Sequence, residues 1–120
     1  MKEPLFLENR RRYKRINFDT SVTYQTTGNR RINYTLAKDI SEGGMGILLE
    51  EFVPKDTEII LEFSLKKNSN PIRSKARVVW IQKFPYIERY RAGLEFKEIE
   101  DLQRANIKRF INNEPLLFYY

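Results

Sequence analysis

Apolar and polar residues alternate through most of residues 17–96, with turn signals at short intervals, and this two-residue period commits the chain to antiparallel β structure. Successive side chains of a strand point to opposite faces, so the pattern names which residues share a face. Phe18, Thr20, Val22 and Tyr24 share one face of a first strand, and Thr26-Thr27-Gly28-Asn29 turns the chain. The returning strand sets Ile32, Tyr34 and Leu36 on one apolar face and runs towards Asp39. Glycines at 43, 44 and 46 break it, and Met45-Gly46-Ile47-Leu48-Leu49 starts a third strand. Ile59, Leu61, Phe63 and Leu65 share a face of a fourth, which ends in the hairpin loop Lys67-Asn68-Ser69-Asn70-Pro71. A fifth, Ile72 to Gln82, alternates Ala76, Val78 and Trp80 against Arg77, Val79 and Ile81. The sixth sets Tyr90, Ala92, Leu94 and Phe96 against Arg89, Arg91, Gly93 and Glu95.

Six strands this short close on themselves more readily than they stay open, because closure removes exposed edges. The period then changes. Ile99, Leu102, Ala105 or Asn106, and Phe110 recur at helical spacing, Asp101 favours the helix dipole in the first turn, and Asn112-Asn113 with Pro115 ends the helix. The expectation is a mainly β fold: a six-stranded antiparallel barrel with a C-terminal helix whose apolar face covers one mouth. Pattern alone leaves the kind of small barrel open.

A chain of 120 residues is one domain with a single modest core. With 41% hydrophobic and 32% charged residues it is globular rather than disordered. No apolar run approaches the ~20 residues of a membrane span. The patch within residues 1–8 is too short for a secretory signal, so the expected location is cytoplasmic. Cysteine and histidine are both absent, which removes disulfides, thiolate nucleophiles, Ser-His-Asp arrangements and ordinary zinc sites together. Glu50-Glu51 and Glu98-Ile99-Glu100-Asp101 fall at a strand end and a helix start. The chain is therefore expected to be a binding protein, not an enzyme, with no metal and no cofactor beyond its ligand.

Net charge is +6, and residues 1–15 carry +4 of it through Lys2, Arg10, Arg11, Arg12, Lys14 and Arg15 against Glu3 and Glu8. A nucleic-acid binder spreads positive charge along a face; charge gathered on one arm suits a small anion. Arg11-Arg12-Tyr13-Lys14-Arg15 supplies guanidinium forks, which match phosphate oxygens and the O6/N7 edge of guanine. Asp39-Ile40-Ser41-Glu42-Gly43-Gly44 supplies a carboxylate, a hydroxyl and a tight turn without Cβ atoms. Read alone, the second segment is better explained as an Asx-turn followed by a glycine hinge. Together they point to a guanine nucleotide carrying phosphates. No Lys-Ser/Thr follows the glycines, which excludes a phosphate loop of the NTPase kind.

Arg-x-x-x-Arg followed at this distance by Asp-x-Ser-x-x-Gly resembles the PilZ domain, a bacterial receptor module for cyclic di-GMP, from about Asn9 to Asn113. The resemblance implies a six-stranded barrel with a C-terminal helix and cyclic di-GMP as ligand. It assigns Arg11 and Arg15 to phosphate and guanine-edge contacts, with Arg10 and Arg12 in reserve. Asp39, Ser41 and Gly44 match the second motif, and Gly43 and Gly44 would let the backbone approach the ligand closely. Trp80 is expected in the core, with a stacking face near the ligand as the alternative; Arg91 is a further possible contact. The division expected is a flexible basic arm over 1–15, a barrel and helix over 16–113, and an apolar tail over 114–120. The function implied is a receptor that changes shape on binding cyclic di-GMP and signals through a protein partner. The alternatives are a PilZ-like adaptor that binds no nucleotide, and a small barrel for single-stranded nucleic acid. Oligomeric state, monomer or dimer, stays open.

Overall fold

The computed structural model describes residues 13–117. Six strands, β1 (Arg15–Thr26), β2 (Asn33–Ser41), β3 (Gly44–Leu49), β4 (Glu58–Phe63), β5 (Ile72–Lys83) and β6 (Tyr90–Glu98), precede one helix, α1 (Asp101–Ile111). All neighbours are antiparallel, and β1 pairs with both β2 and β4, so the sheet closes into a barrel in the order β1-β2-β3-β6-β5-β4. The expected mainly β barrel with a C-terminal helix is the fold observed.

The core follows the alternation in most strands. Val22, Tyr24, Met45, Ile47, Leu49, Ile59, Leu61, Phe63, Ala92, Leu94 and Phe96 all point inward and are buried. The first hairpin turns at Gly28, whose φ of 87° is open to glycine without steric cost. α1 closes one mouth: Ile107 and Ile111 belong to the barrel core, and Phe110 meets Phe18 edge-on at 5.3 Å. Phe18 in turn meets Phe63, which stacks on Phe96 at 6.1 Å, so an aromatic row links helix to sheet.

Three details depart from the sequence pattern. Ile32, Tyr34 and Leu36 face outward, 54%, 79% and 46% exposed. Register explains this: Thr35 lies opposite the buried Val22, so the inward residues of β2 are Thr35 and Ala37, and the apolar row between them is on the outside. On α1, Leu102 is exposed, and the buried stripe runs through Ile107 and Ile111 instead. Trp80 is not a core residue, for a reason that belongs to the site below.

The chain after α1 folds back along it. Asn113 takes φ of 59°, and Asn106 then grips Leu117 at both backbone groups, accepting from its N–H at 2.7 Å and donating to its carbonyl at 3.0 Å. Leu116 packs on the core. Phe118, Tyr119 and Tyr120 of the expected tail lie outside the described residues.

Candidate nucleotide-binding site

Asp39 reaches the outside of the barrel because β2 is bulged. Ala37 pairs with Ile47 and Asp39 with Gly46, so Lys38 is an extra residue on β2. In a regular strand Asp39, two residues on from Ala37, would share the inward parity of Thr35 and Ala37; the bulge at Lys38 reverses that parity and aims the carboxylate over Gly46. A Cβ at position 46 would lie 2.9 Å from Oδ2 of Asp39, so glycine there makes the seat. The Gly46 N–H donates to Oδ1 at 3.1 Å. Asp39 thus takes a bond from the facing strand, not from its own backbone two residues on.

Two guanidinium groups converge on this carboxylate. Arg91 Nη2 donates to Oδ2 at 3.3 Å, and Arg15 Nε stands 3.8 Å from Oδ1. The Asp39 side chain is 13% exposed, while those of Arg15 and Arg91 are about half exposed. The arrangement is an acceptor set low in the barrel wall with cations above it, open to solvent on one side. Arg15 opens β1, opposite Ser41, so its backbone belongs to the barrel rather than to a preceding arm.

A second bulge does for Trp80 what the first does for Asp39. Val78 pairs with Leu94 and Trp80 with Gly93, leaving Val79 as the extra residue on β5. Trp80 therefore leaves the inward row of Ala76 and Val78 and lies on the outer surface, half-buried, its indole edge over Gly93. Any side chain at 93 would collide with that indole. The expectation of a core Trp80 is corrected on this ground. Asp39, Gly46, Gly93 and Trp80 form one row across four adjacent strands. At the usual strand spacing, the outer two backbones stand about 14 Å apart.

Ser41, Gly43 and Gly44 come together in the β2–β3 turn. The Ser41 hydroxyl accepts from the Gly43 N–H at 3.2 Å and donates to the Gly44 carbonyl at 3.4 Å, so it braces the turn. Arg104 of α1 donates to the Glu42 carbonyl at 3.3 Å and ties the turn to the helix. The space that each glycine leaves is taken by the protein itself. A Cβ at Gly44 would run into the Leu94 carbonyl oxygen, and one at Gly43 would lie 2.7 Å from the Tyr13 ring. Arg10, Arg11 and Arg12 lie outside the described residues. Gly46, Gly93 and Tyr13 carry no motif signature; the one sequence sign of the first two is a glycine inside a strand, which marks close approach of another group.

Among the described residues no cluster of acidic side chains is placed to hold a metal ion. No helix among them is long and apolar enough to cross a membrane.

Comparison with known proteins returns a family and a fold. The family model described as the PilZ domain matches residues 9–113. No curated protein matches the chain at a significant level. Among solved structures, the Bacillus subtilis inhibitor of motility MotI/DgrA superposes with a TM-score of 0.75 at 22% identity, over 86% of this chain and 50% of that one. The PilZ domain with c-di-GMP of YcgR from Escherichia coli gives 0.67 at 21% identity, over 87% of this chain and 90% of that one. The K. pneumonia MrkH–c-di-GMP complex gives 0.68 at 17% identity, over 86% and 51%. This chain thus spans about half the length of MotI and MrkH.

Proposed function

The chain belongs to the PilZ domain family, and from that premise we propose that it is a non-enzymatic receptor for cyclic di-GMP. One observation carries the reading: a carboxylate turned outward by a strand bulge, held by a backbone N–H and flanked by two arginines. Ionised carboxylate accepts only, and its two oxygens match the paired N1–H and N2–H donors of guanine. Adenine offers an acceptor in place of one of these donors, so the same carboxylate disfavours it. Arg15 turns Nε and Arg91 Nη2 towards Asp39, and the other N–H donors of each guanidinium can serve a phosphate or the O6/N7 edge. The c-di-GMP bound by the YcgR domain, which shares this fold, supports the ligand class.

Arg11, with Arg10 and Arg12 beside it, adds further phosphate contacts from the N-terminal arm. Binding draws the arm onto the barrel, and the altered surface engages a protein partner in the cytoplasm. Calorimetric titration tests the reading. Cyclic di-GMP should bind with a Kd of about 1 μM or tighter, and cyclic di-AMP should bind roughly tenfold or more weakly. Equal affinity for the two dinucleotides would overturn it.

A further inference from the structure

Tyr13 stands between Arg11 and Arg15 in sequence, and in space its ring lies on Gly43. Its Cδ2 and Cε2 atoms approach so closely that a Cβ at position 43 would be 2.7 and 2.8 Å from them. Only glycine accepts the ring at this distance. The surface beneath is firm: Ser41 braces the turn through the Gly43 N–H, the Gly43 carbonyl accepts from Phe96 N–H at 2.9 Å, and Arg104 holds Glu42 from the helix. A glycine in a motif attributed to nucleotide contact is thus occupied by a side chain of the other motif.

We propose that Tyr13 is the positioning residue of the arginine segment. Its ring, seated on Gly43, fixes the point and direction at which the chain enters β1, and so holds Arg15 beside Asp39. Gly43 serves the ligand through Tyr13, not by letting it approach the backbone. Lys14 alone separates Tyr13 from Arg15, so a swing of the entering chain moves the guanidinium by several ångströms, about the per-residue reach of an extended backbone. Fixing it beforehand removes an ordering cost from binding. The inference rests on the receptor reading above, and names the contact through which the two motifs act together.

The test compares Tyr13→Ala, Tyr13→Phe, Gly43→Ala and the double variant Tyr13→Ala/Gly43→Ala, all in the full chain. Calorimetry with cyclic di-GMP should show Tyr13→Ala and Gly43→Ala each weakened by roughly tenfold, within the cost of ordering a free segment. Tyr13→Phe should stay near the parent, since the ring and not the hydroxyl makes the seat. The double variant should be no weaker than either single one, because both remove the same contact. Melting temperatures should stay close to the parent's, as the added methyl at 43 meets a side chain at the barrel surface and no backbone. Parent-like affinity in Tyr13→Ala would overturn the proposal, and so would a full additional loss in the double variant, which would make Gly43 a direct ligand contact. Amide exchange at residues 15–17 without ligand separates this from the receptor reading. Tyr13→Ala should speed it whether or not the parent binds cyclic di-GMP, and unchanged exchange would overturn the seat itself.

Discussion

Arg15 and Arg91 approach one carboxylate from two strands, and neither contact is worth much as a salt bridge, because both guanidiniums are half exposed and screened. Their value lies in geometry at the moment a ligand arrives. If Arg15 forks onto a planar edge, charge alone will not replace it: Arg15→Ala should lose about 1–3 kcal/mol of binding, and Arg15→Lys a large part of the same amount. Calorimetry of the two variants beside the parent decides, and a parent-like Arg15→Lys would mean a diffuse charge effect. Gly44 differs from its neighbour Gly43 in what its missing Cβ avoids, the Leu94 backbone rather than a side-chain ring. Gly44→Ala should therefore destabilise the barrel by about 1–3 kcal/mol through overpacking. A melting curve should fall by several degrees, roughly 4–8 °C for each kcal/mol in a domain of this size. Both glycines are equally visible in the sequence; the difference between them is not.

At the scale of elements, strand and helix existence was legible and orientation was less so. Six alternating runs and one helical run sit where the periods put them, because period depends only on local chain geometry. Which face turns inward depends on neighbours. β2 shows this through Tyr34 and Leu36, whose outward row follows from pairing with β1. α1 shows it again: Leu102 fits the helical period yet lies in the open, while Ile107 is fully buried beneath the barrel mouth. Ile107→Ala should cost about 2–5 kcal/mol, as expected for a large-to-small change in a packed core. Leu102→Ala should fall within about 0.5 kcal/mol of the parent. Denaturant titration of the two variants measures the contrast, and similar losses would contradict the observed packing of α1.

Closure of the barrel has a consequence for the whole molecule, since it buries groups that titrate. Burial pushes the Tyr24 phenol above its ordinary value of 10.0, nearby Glu51 adds to the rise, and Arg31 opposes it. A folded-state pKa above the unfolded one means that the unfolded chain releases its proton first as pH rises. The contribution of neutral Tyr24 to stability is then complete below pH 10 and is lost as pH climbs through the raised value. Melting temperature of the parent should fall as pH rises above 10, and Tyr24→Phe should make that fall shallower. An unchanged slope in Tyr24→Phe would assign the alkaline loss to other groups.

The sequence by itself determined the number and order of elements, the turn positions, the absence of thiol and imidazole chemistry, and the two motifs that name the family. These are consequences of residue type, spacing and local periodicity. Tertiary structure decided which side chains meet. Asp39 and Trp80 reach the outer surface only because Lys38 and Val79 are extra residues against their partner strands, and a bulge is defined by the strand opposite. Gly46 and Gly93 become seats only when β2 and β5 bring a carboxylate and an indole over them. Tyr13 finds Gly43 across some thirty intervening residues, as Arg15 and Arg91 find Asp39 from separate strands. Contacts of this kind are set by register and closure, which no window of consecutive residues contains.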